Sequence, residues 1–177
     1  MESCLLVMDV QPGILNRLEN KDKYLESLKE TIKRARDSKI KIIFVVVGFR
    51  DGMPEVSQNN KSFSAIKDAP SPGIINPQPA IKLEPNDIVV TKRRVSAFSG
   101  SDLEVLLRAG SINHLVLTGI ATSGVVLSTL REAADKDYKI TVLSDLCADF
   151  DQEVHRVLVE KVFPRQAEVL TARDWLN

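Results

Sequence analysis

Apolar and polar positions follow two patterns that alternate along the chain. Short, nearly continuous apolar runs predict strands that are covered on both faces, as in a parallel sheet. The first run reads CLLVM and the second KIIFVVV. Strands are predicted at residues 4–8, 41–47, 88–91, 114–118 and 139–143, with a short sixth at 168–170.

Between these runs, apolar residues recur at the spacing of amphipathic helices. Helices are predicted over residues 24–35, 123–136 and 152–162. Ser101 and Glu104 have the spacing of a capping box, which predicts a further helix with the apolar face Leu103, Leu106 and Leu107.

Strands that alternate with helices predict one particular fold class. We expect a three-layer α/β/α sandwich, with a mainly parallel six-stranded sheet and right-handed crossovers. Residues 48–87 fit neither pattern and are rich in Pro, Ser and Asn. A loop of this length is usually functional or part of an interface.

Polar residues follow several of the predicted strands. Asp9 ends the first, Lys92 the third, the 119–125 turn the fourth and Asp145 the fifth. Ligands bind outside the carboxyl ends of such strands, and a carboxylate and an ammonium there form a plausible acid/base pair. The simpler interpretations are that the aspartates cap turns and that the basic triplet 92–94 lies on a solvated face.

Composition narrows the class of protein. The chain has 177 residues, for which one domain over residues 1–177 is expected. Lys+Arg and Asp+Glu are equal at 24 each, so nothing indicates a nucleic-acid or membrane partner. Cys4 and Cys147 lack metal-binding spacing. The first ten residues have neither a basic region nor an apolar stretch long enough for a signal, so we expect a cytoplasmic protein.

Familiar catalytic motifs are missing from the sequence. It contains no phosphate-binding GxxxxGKS/T, no GxGxxG and no GxSxG. Ser123 is interpreted as a helix cap, and a thiol–imidazole pair of Cys147 and His155 is a remote alternative. No cofactor is predicted. A flavodoxin-like cofactor binder is a further alternative, which bound flavin on purification would reveal.

Three separated stretches resemble the signatures of one family. They are LLVMDVQ, VVTKRRVSAFSGSDLEVLLR and LVLTGIATSGVVLSTLREAADKDYKITVLSDLCAD. In order and spacing they are similar to the isochorismatase-like hydrolases, which include isochorismatases, nicotinamidases and related cysteine amidohydrolases. The resemblance covers nearly the whole chain and implies the same α/β/α sandwich.

The resemblance also implies a catalytic site. Family amidases use an aspartate, a lysine and a nucleophilic cysteine; Asp9 matches the first and Lys92 the second. The cysteine position is occupied by Val125, which can neither attack nor ionise. The isochorismatases also lack the cysteine, usually with glycine there. They hydrolyse a vinyl ether, with the aspartate as general acid.

Substrate contacts are likewise implied by the resemblance. They fall on Gln11, Phe98, Ala121, Thr122 and Gly124, and the N–H groups of the 121–125 turn are expected to bind an anionic oxygen. The family also has a non-proline cis peptide in this turn, which we place at Ala121–Thr122.

The second strand leads into a stretch where family nicotinamidases bind a divalent metal through an aspartate and histidines. Here that stretch reads GFRDGMPEVSQNNKSF, with Asp51 but no histidine, so no catalytic metal is predicted. Arg50 could meet a substrate carboxylate, although a surface arginine is the simpler interpretation.

Two functions remain as hypotheses from the sequence. The first is a hydrolase of a small, carboxylated molecule that uses Asp9 as general acid/base without a cysteine. The second is a catalytically inactive family member that binds a small ligand or serves as an assembly subunit. The resemblance implies a homodimer or homotetramer in either case.

Overall fold

The computed structural model describes residues 2–71 and 73–176. Its centre is a six-stranded sheet in the order β3-β2-β1-β4-β5-β6, in which all neighbouring strands are parallel. The strands are β1 Ser3–Met8, β2 Lys41–Val47, β3 Ile88–Lys92, β4 His114–Ile120, β5 Lys139–Ala148 and β6 Glu168–Leu170. The predicted sheet is confirmed.

Helices connect the strands and cover both faces of the sheet. They are α1 Pro12–Leu15, α2 Lys21–Asp37, α3 Lys61–Asp68, α4 Leu103–Ala109, α5 Leu127–Asp135, α6 Gln152–Val157 and α7 Ala172–Trp175. Two π-helical turns, Thr122–Val126 and Leu158–Val162, and a short 3-10 turn, Phe163–Arg165, complete the set.

The two faces of the sheet bury separate apolar clusters. One side of each inner strand packs with α4, α5 and the π-helical turn Leu158–Val162, and the other side packs with α2 and α7. Burial of both faces explains the nearly continuous apolar runs of the sequence. The three-layer α/β/α arrangement is therefore confirmed.

Two local features differ from the sequence-based expectations. The stretch 48–87 was expected to be a loop, yet it contains α3, whose Phe63 packs on Phe49 in a third apolar cluster. The capping box predicted at α4 is not formed, and Asp102 occupies the cap position. Ser101 accepts the Leu103 N–H at 3.3 Å, but Glu104 pairs with Arg108 and Lys136 instead of reaching back.

The fifth strand is longer than its apolar run indicated. It continues to Ala148, because its register against β4 shifts between Leu117 and Gly119 and the chain then pairs again. Asp145 therefore lies within β5, and Asp149 follows the strand end. No helix within the described residues is long and apolar enough to cross a membrane.

Candidate active site

Asp9 and Lys92 meet at the carboxyl edge of the sheet. β1 and β3 both pair with β2, and the chain leaves β1 at Asp9 in a left-handed conformation with φ of 55°. Aspartate tolerates this region better than most residues. The Lys92 ammonium lies 3.0 Å from Asp9 Oδ2, and the side chains are 2% and 8% exposed. The predicted acid/base pair is therefore in contact.

The environment of this pair has two opposing effects on the Asp9 carboxyl. Burial raises the pKa of Asp9, because a charge is poorly solvated there, and the Lys92 ammonium offsets part of that rise. Among the described residues, Asp9 Oδ1 is buried and has no hydrogen-bond partner. One oxygen thus holds the lysine, while the other is left to exchange a proton.

Gln11, two residues after Asp9, uses its side chain to bind the backbone. Its side-chain amide donates to the Val47 carbonyl at 3.1 Å, and its oxygen accepts the Val47 N–H at 2.8 Å. These two bonds clamp the segment after β1 to the end of β2. The amide expected to contact substrate is therefore already satisfied by the backbone.

The end of β4, just before the turn, contains a glycine that the sheet requires. Gly119 has φ of 148°, and a Cβ there would lie 2.3 Å from the Met8 carbonyl oxygen. The cis peptide joins Ile120 to Ala121, so its expected position at Ala121–Thr122 is wrong by one residue. The last strand residue, not the first residue of the turn, precedes the cis bond.

Polar groups of this turn already have partners within the protein. The Thr122 hydroxyl is fully buried and lies 2.8 Å from His155 Nδ1. The Ser123 N–H donates to Asp149 Oδ2 at 2.7 Å, and the Ala121 carbonyl accepts the Gly124 N–H at 3.1 Å. Ser123 does not cap the helix, since Ala121 occupies the cap position. These bonds leave the turn fewer N–H donors for an anion than the sequence suggested.

Val125 and Phe98 lie in the apolar cluster beneath α4 and α5. Val125 is 2% exposed, and Phe98 packs against Tyr138 with ring centroids 6.0 Å apart. The position where a nucleophile is expected is thus part of the hydrophobic core.

Comparison with known proteins identifies the family. The model of the isochorismatase domain matches residues 3–174. The chain belongs to the isochorismatase family of hydrolases. It is 30% identical to the uncharacterized isochorismatase family protein YwoC of Bacillus subtilis (strain 168), over 99% of this chain and 93% of that protein.

Two further known proteins are similar to this isochorismatase-family chain. An isochorismatase family protein from Burkholderia thailandensis has a TM-score of 0.79 at 30% identity, covering 97% of this chain and 92% of that one. Over 65 residues the chain is 51% identical to ureidoacrylate amidohydrolase RutB of Variovorax paradoxus (strain S110). That match spans 37% of this chain and 26% of RutB.

The loop after β2 does not suit the metal site of family nicotinamidases. Asp51 uses Oδ1 to accept the neighbouring Gly52 N–H, and Arg50 is bound at 2.5 Å by Glu55. No group of three His, Cys, Asp or Glu side chains suited to a metal occurs in residues 2–71 and 73–176. The side chains of this loop therefore do not fit a divalent metal bound as in the nicotinamidases. Arg50 is already paired with the Glu55 carboxylate.

A cavity of about 550 Å³ opens at the end of β5 in this isochorismatase-family chain. It lies between β5 and the start of α2, and Asp9, Lys92 and Val125 do not line it. Arg17 lies over the Phe150 ring at 3.8 Å on its rim. Tyr24, Cys147, Ala148 and Asp149 are among its other lining residues.

The remaining candidates are not brought into a reactive arrangement. Asp145 accepts the Ala172 N–H at 2.8 Å and so holds α7. The Cys147 thiol donates to the Leu117 carbonyl at 3.8 Å, and burial raises the pKa of this thiol. His155 bonds Thr122 instead of Cys147, so the thiol–imidazole pair is not formed.

Asp149 is the polar residue that sequence reasoning missed. It is 5% exposed and receives N–H groups from Ser123 and Phe150. Ligands bind outside the carboxyl ends of parallel strands, and this rule would point to Asp149 at the end of β5. The sequence did not indicate that end, because the apolar run stops at Leu143.

Proposed function

We propose that this chain hydrolyses a small, carboxylated molecule, with Asp9 as general acid/base and Lys92 as its electrostatic partner. No residue acts as a nucleophile. The observation that carries the proposal is the buried Asp9–Lys92 contact at 3.0 Å, in which Asp9 Oδ1 has no partner among the described residues.

A vinyl ether is the substrate class that such a site suits best. Asp9 gives its proton to the terminal alkene carbon, and the electron pair of the double bond forms the new C–H bond. The resulting oxocarbenium ion takes up water, and the hemiketal releases an alcohol and a ketone. Asp9 recovers its proton from that water, so the sum is vinyl ether plus water to ketone plus alcohol.

The direction of the pKa shift of Asp9 supports this role. A general acid works best when its pKa lies near the operating pH, and burial moves the pKa of Asp9 upward in that direction. The Lys92 ammonium favours the carboxylate left after proton transfer. Because no covalent bond to the protein is needed, Val125 is compatible with this chemistry.

Amide hydrolysis is the other reaction to test. RutB, similar over part of its length, is named a ureidoacrylate amidohydrolase. In this chain an amide would require Asp9 to act as general base toward water, because Val125 offers no thiol.

The test is the Asp9→Asn variant, assayed with the wild-type protein across vinyl ethers and small amides. We expect a loss on the order of 10²-fold or more in the rate of the substrate that the wild type accepts. Asp37→Asn is the matched control, since Asp37 forms an exposed ion pair with Lys33 and should leave activity unchanged. Equal activity of Asp9→Asn and wild type would remove Asp9 from the mechanism.

A second candidate function is small-ligand binding without catalysis. It is favoured by the cavity beside Phe150, which Asp9 and Lys92 do not line, and by the burial of Val125. A chain of this kind would bind a small carboxylate, measured by its effect on thermal unfolding, equally well in wild type and Asp9→Asn. Loss of that binding in Asp9→Asn would argue against it.

A further inference from the structure

We infer that Arg94 and Glu55 are positioning residues that hold the Lys92 ammonium against Asp9. This inference deepens the proposed function and rests on it. It assigns to the basic triplet 92–94 a role that differs from the solvated face expected from its sequence.

The first step concerns the contacts of Lys92. Its ammonium contacts Asp9 Oδ2 at 3.0 Å and the Arg94 carbonyl oxygen at 2.9 Å. An ammonium on a flexible four-carbon stem has no preferred direction of its own. Its position relative to Asp9 is therefore set by where the Arg94 carbonyl lies.

The second step concerns what fixes Arg94. Its guanidinium donates to the Glu55 carbonyl oxygen at 2.9 Å and to the Arg93 carbonyl oxygen at 2.6 Å. Arg94 is half-buried, and both of its acceptors are backbone groups. The side chain thus ties its own peptide unit to the loop that follows β2.

The third step concerns the loop itself. The Glu55 carboxylate binds Arg50 at 2.5 Å and faces Arg93 Nε at 3.6 Å. Arg93 also donates to the Gly48 carbonyl, and the Gly48 N–H donates to the Lys92 carbonyl at 3.2 Å. The loop and the triplet are therefore interlocked by side chains from both segments.

A titration of Asp9 separates positioning from simple structural support. If the Lys92 ammonium is no longer held against Asp9, its attraction for the Asp9 carboxylate weakens and the pKa of Asp9 rises. If the variant merely loosens the site, water enters, burial weakens and the pKa falls. The sign of the shift therefore distinguishes the two roles in Arg94→Lys and Glu55→Gln, which remove no cation; in Arg94→Ala the lost charge of Arg94 itself adds to the rise.

The experiment follows the Asp9 carboxyl carbon by NMR in protein labelled with ¹³C-aspartate, the signal being assigned from its absence in Asp9→Asn. We expect Arg94→Ala to raise the pKa of Asp9 by about one unit, because an opposite charge at this distance shifts a carboxyl by about one to three. Arg94→Lys should raise it by less, since a lysine keeps the charge and part of the contact. Glu55→Gln should also raise it by less, since it keeps the carbonyl that binds Arg94 and weakens only the carboxylate contacts with Arg50 and Arg93.

Glu104→Gln is the matched control, because Glu104 also binds an arginine, Arg108, but on α4. It should leave the titration of Asp9 unchanged. The inference is overturned if Glu55→Gln and Arg94→Ala, both folded by circular dichroism, titrate as the wild type or shift downward. If Arg94→Ala does not fold, Glu55→Gln decides alone. A shifted titration together with full activity of Asp9→Asn would instead contradict the proposed function and leave the positioning intact.

Discussion

The ends of β1 and β3 differ sharply from the turn after β4, although all three lie at the same edge of the sheet. At the ends of β1 and β3, two charged side chains are buried in contact, and Asp9 Oδ1 has no hydrogen-bond partner within residues 2–71 and 73–176. At the turn, the hydroxyl of Thr122 and the N–H of Ser123 have partners, and Val125 joins the core.

The comparison shows where the fold buries charged groups, whose desolvation costs free energy. A buried ion pair is weak support for stability, because desolvation of both charges offsets their attraction. The turn, in contrast, has the packing and hydrogen bonding of an ordinary structural segment. This contrast supports the proposal that Asp9 and Lys92, and not the 121–125 turn, carry the chemistry.

Removal of Lys92 should have the largest effect on stability. Lys92→Met leaves Asp9 buried without its counter-charge, and we expect a loss of about 3–5 kcal/mol in the free energy of unfolding. Urea denaturation measures this directly. Lys33→Met, at an exposed ion pair, is the control and should cause no measurable loss. Equal stability of Lys92→Met and wild type would show that the ion pair is not enclosed as described.

An intermediate effect is expected at the turn. Val125→Ala removes two methyl groups from the core cluster, and we expect a loss of about 2 kcal/mol by the same measurement. Val105→Ala is the control, since Val105 is 69% exposed on α4. A loss at Val125 no larger than at Val105 would mean that Val125 faces open space, and the contrast between the two regions would disappear.

The smallest effect concerns pH. Burial lowers the pKa of His155 from its usual 6.5, with Asp149 acting in the opposite direction. A histidine with a depressed folded pKa contributes stability that is lost as pH falls below the unfolded value. The wild type should therefore lose stability below about pH 6.5 more steeply than His155→Asn. Parallel pH profiles would show that Thr122 does not depend on a neutral His155.

Asp9 should respond to pH in the opposite sense. Its folded pKa is raised, so the protonated form is favoured by folding, and that contribution is lost as pH rises through the folded pKa. The two regions thus differ in the sign of their coupling to protons as well as in their packing.

Much of the fold was predictable from the sequence because the inner strands are buried on both faces. Residues 41–47 and 168–170 were predicted with their observed ends. The strand-end rule also brought Asp9 and Lys92 together, since both follow apolar runs. What could not be predicted depends on contacts between distant segments. The extension of β5 follows from a register shift against β4, which leaves no local pattern.

The same limitation explains the residues around the site. Nothing in the triplet 92–94 indicates that Arg94 reaches the Glu55 carbonyl, 39 residues earlier in the chain. Likewise, the bond of Gln11 to Val47 depends on β1 and β2 lying side by side. The sequence pattern identifies which residue types lie at the edge of the sheet. It does not show which of their side chains already form hydrogen bonds with backbone groups.

If Asp9 transfers a proton to substrate, as we claim, hydrogen from the solvent enters the product through its carboxyl group. A small carboxylated vinyl ether is incubated in D₂O with wild type and with Asp9→Asn, and the ketone product is examined by NMR. We predict deuterium on the former alkene carbon with the wild type, and a rate lower by on the order of 10²-fold or more with Asp9→Asn. Equal rates for the two proteins, or a product without carbon-bound deuterium, would contradict the claim.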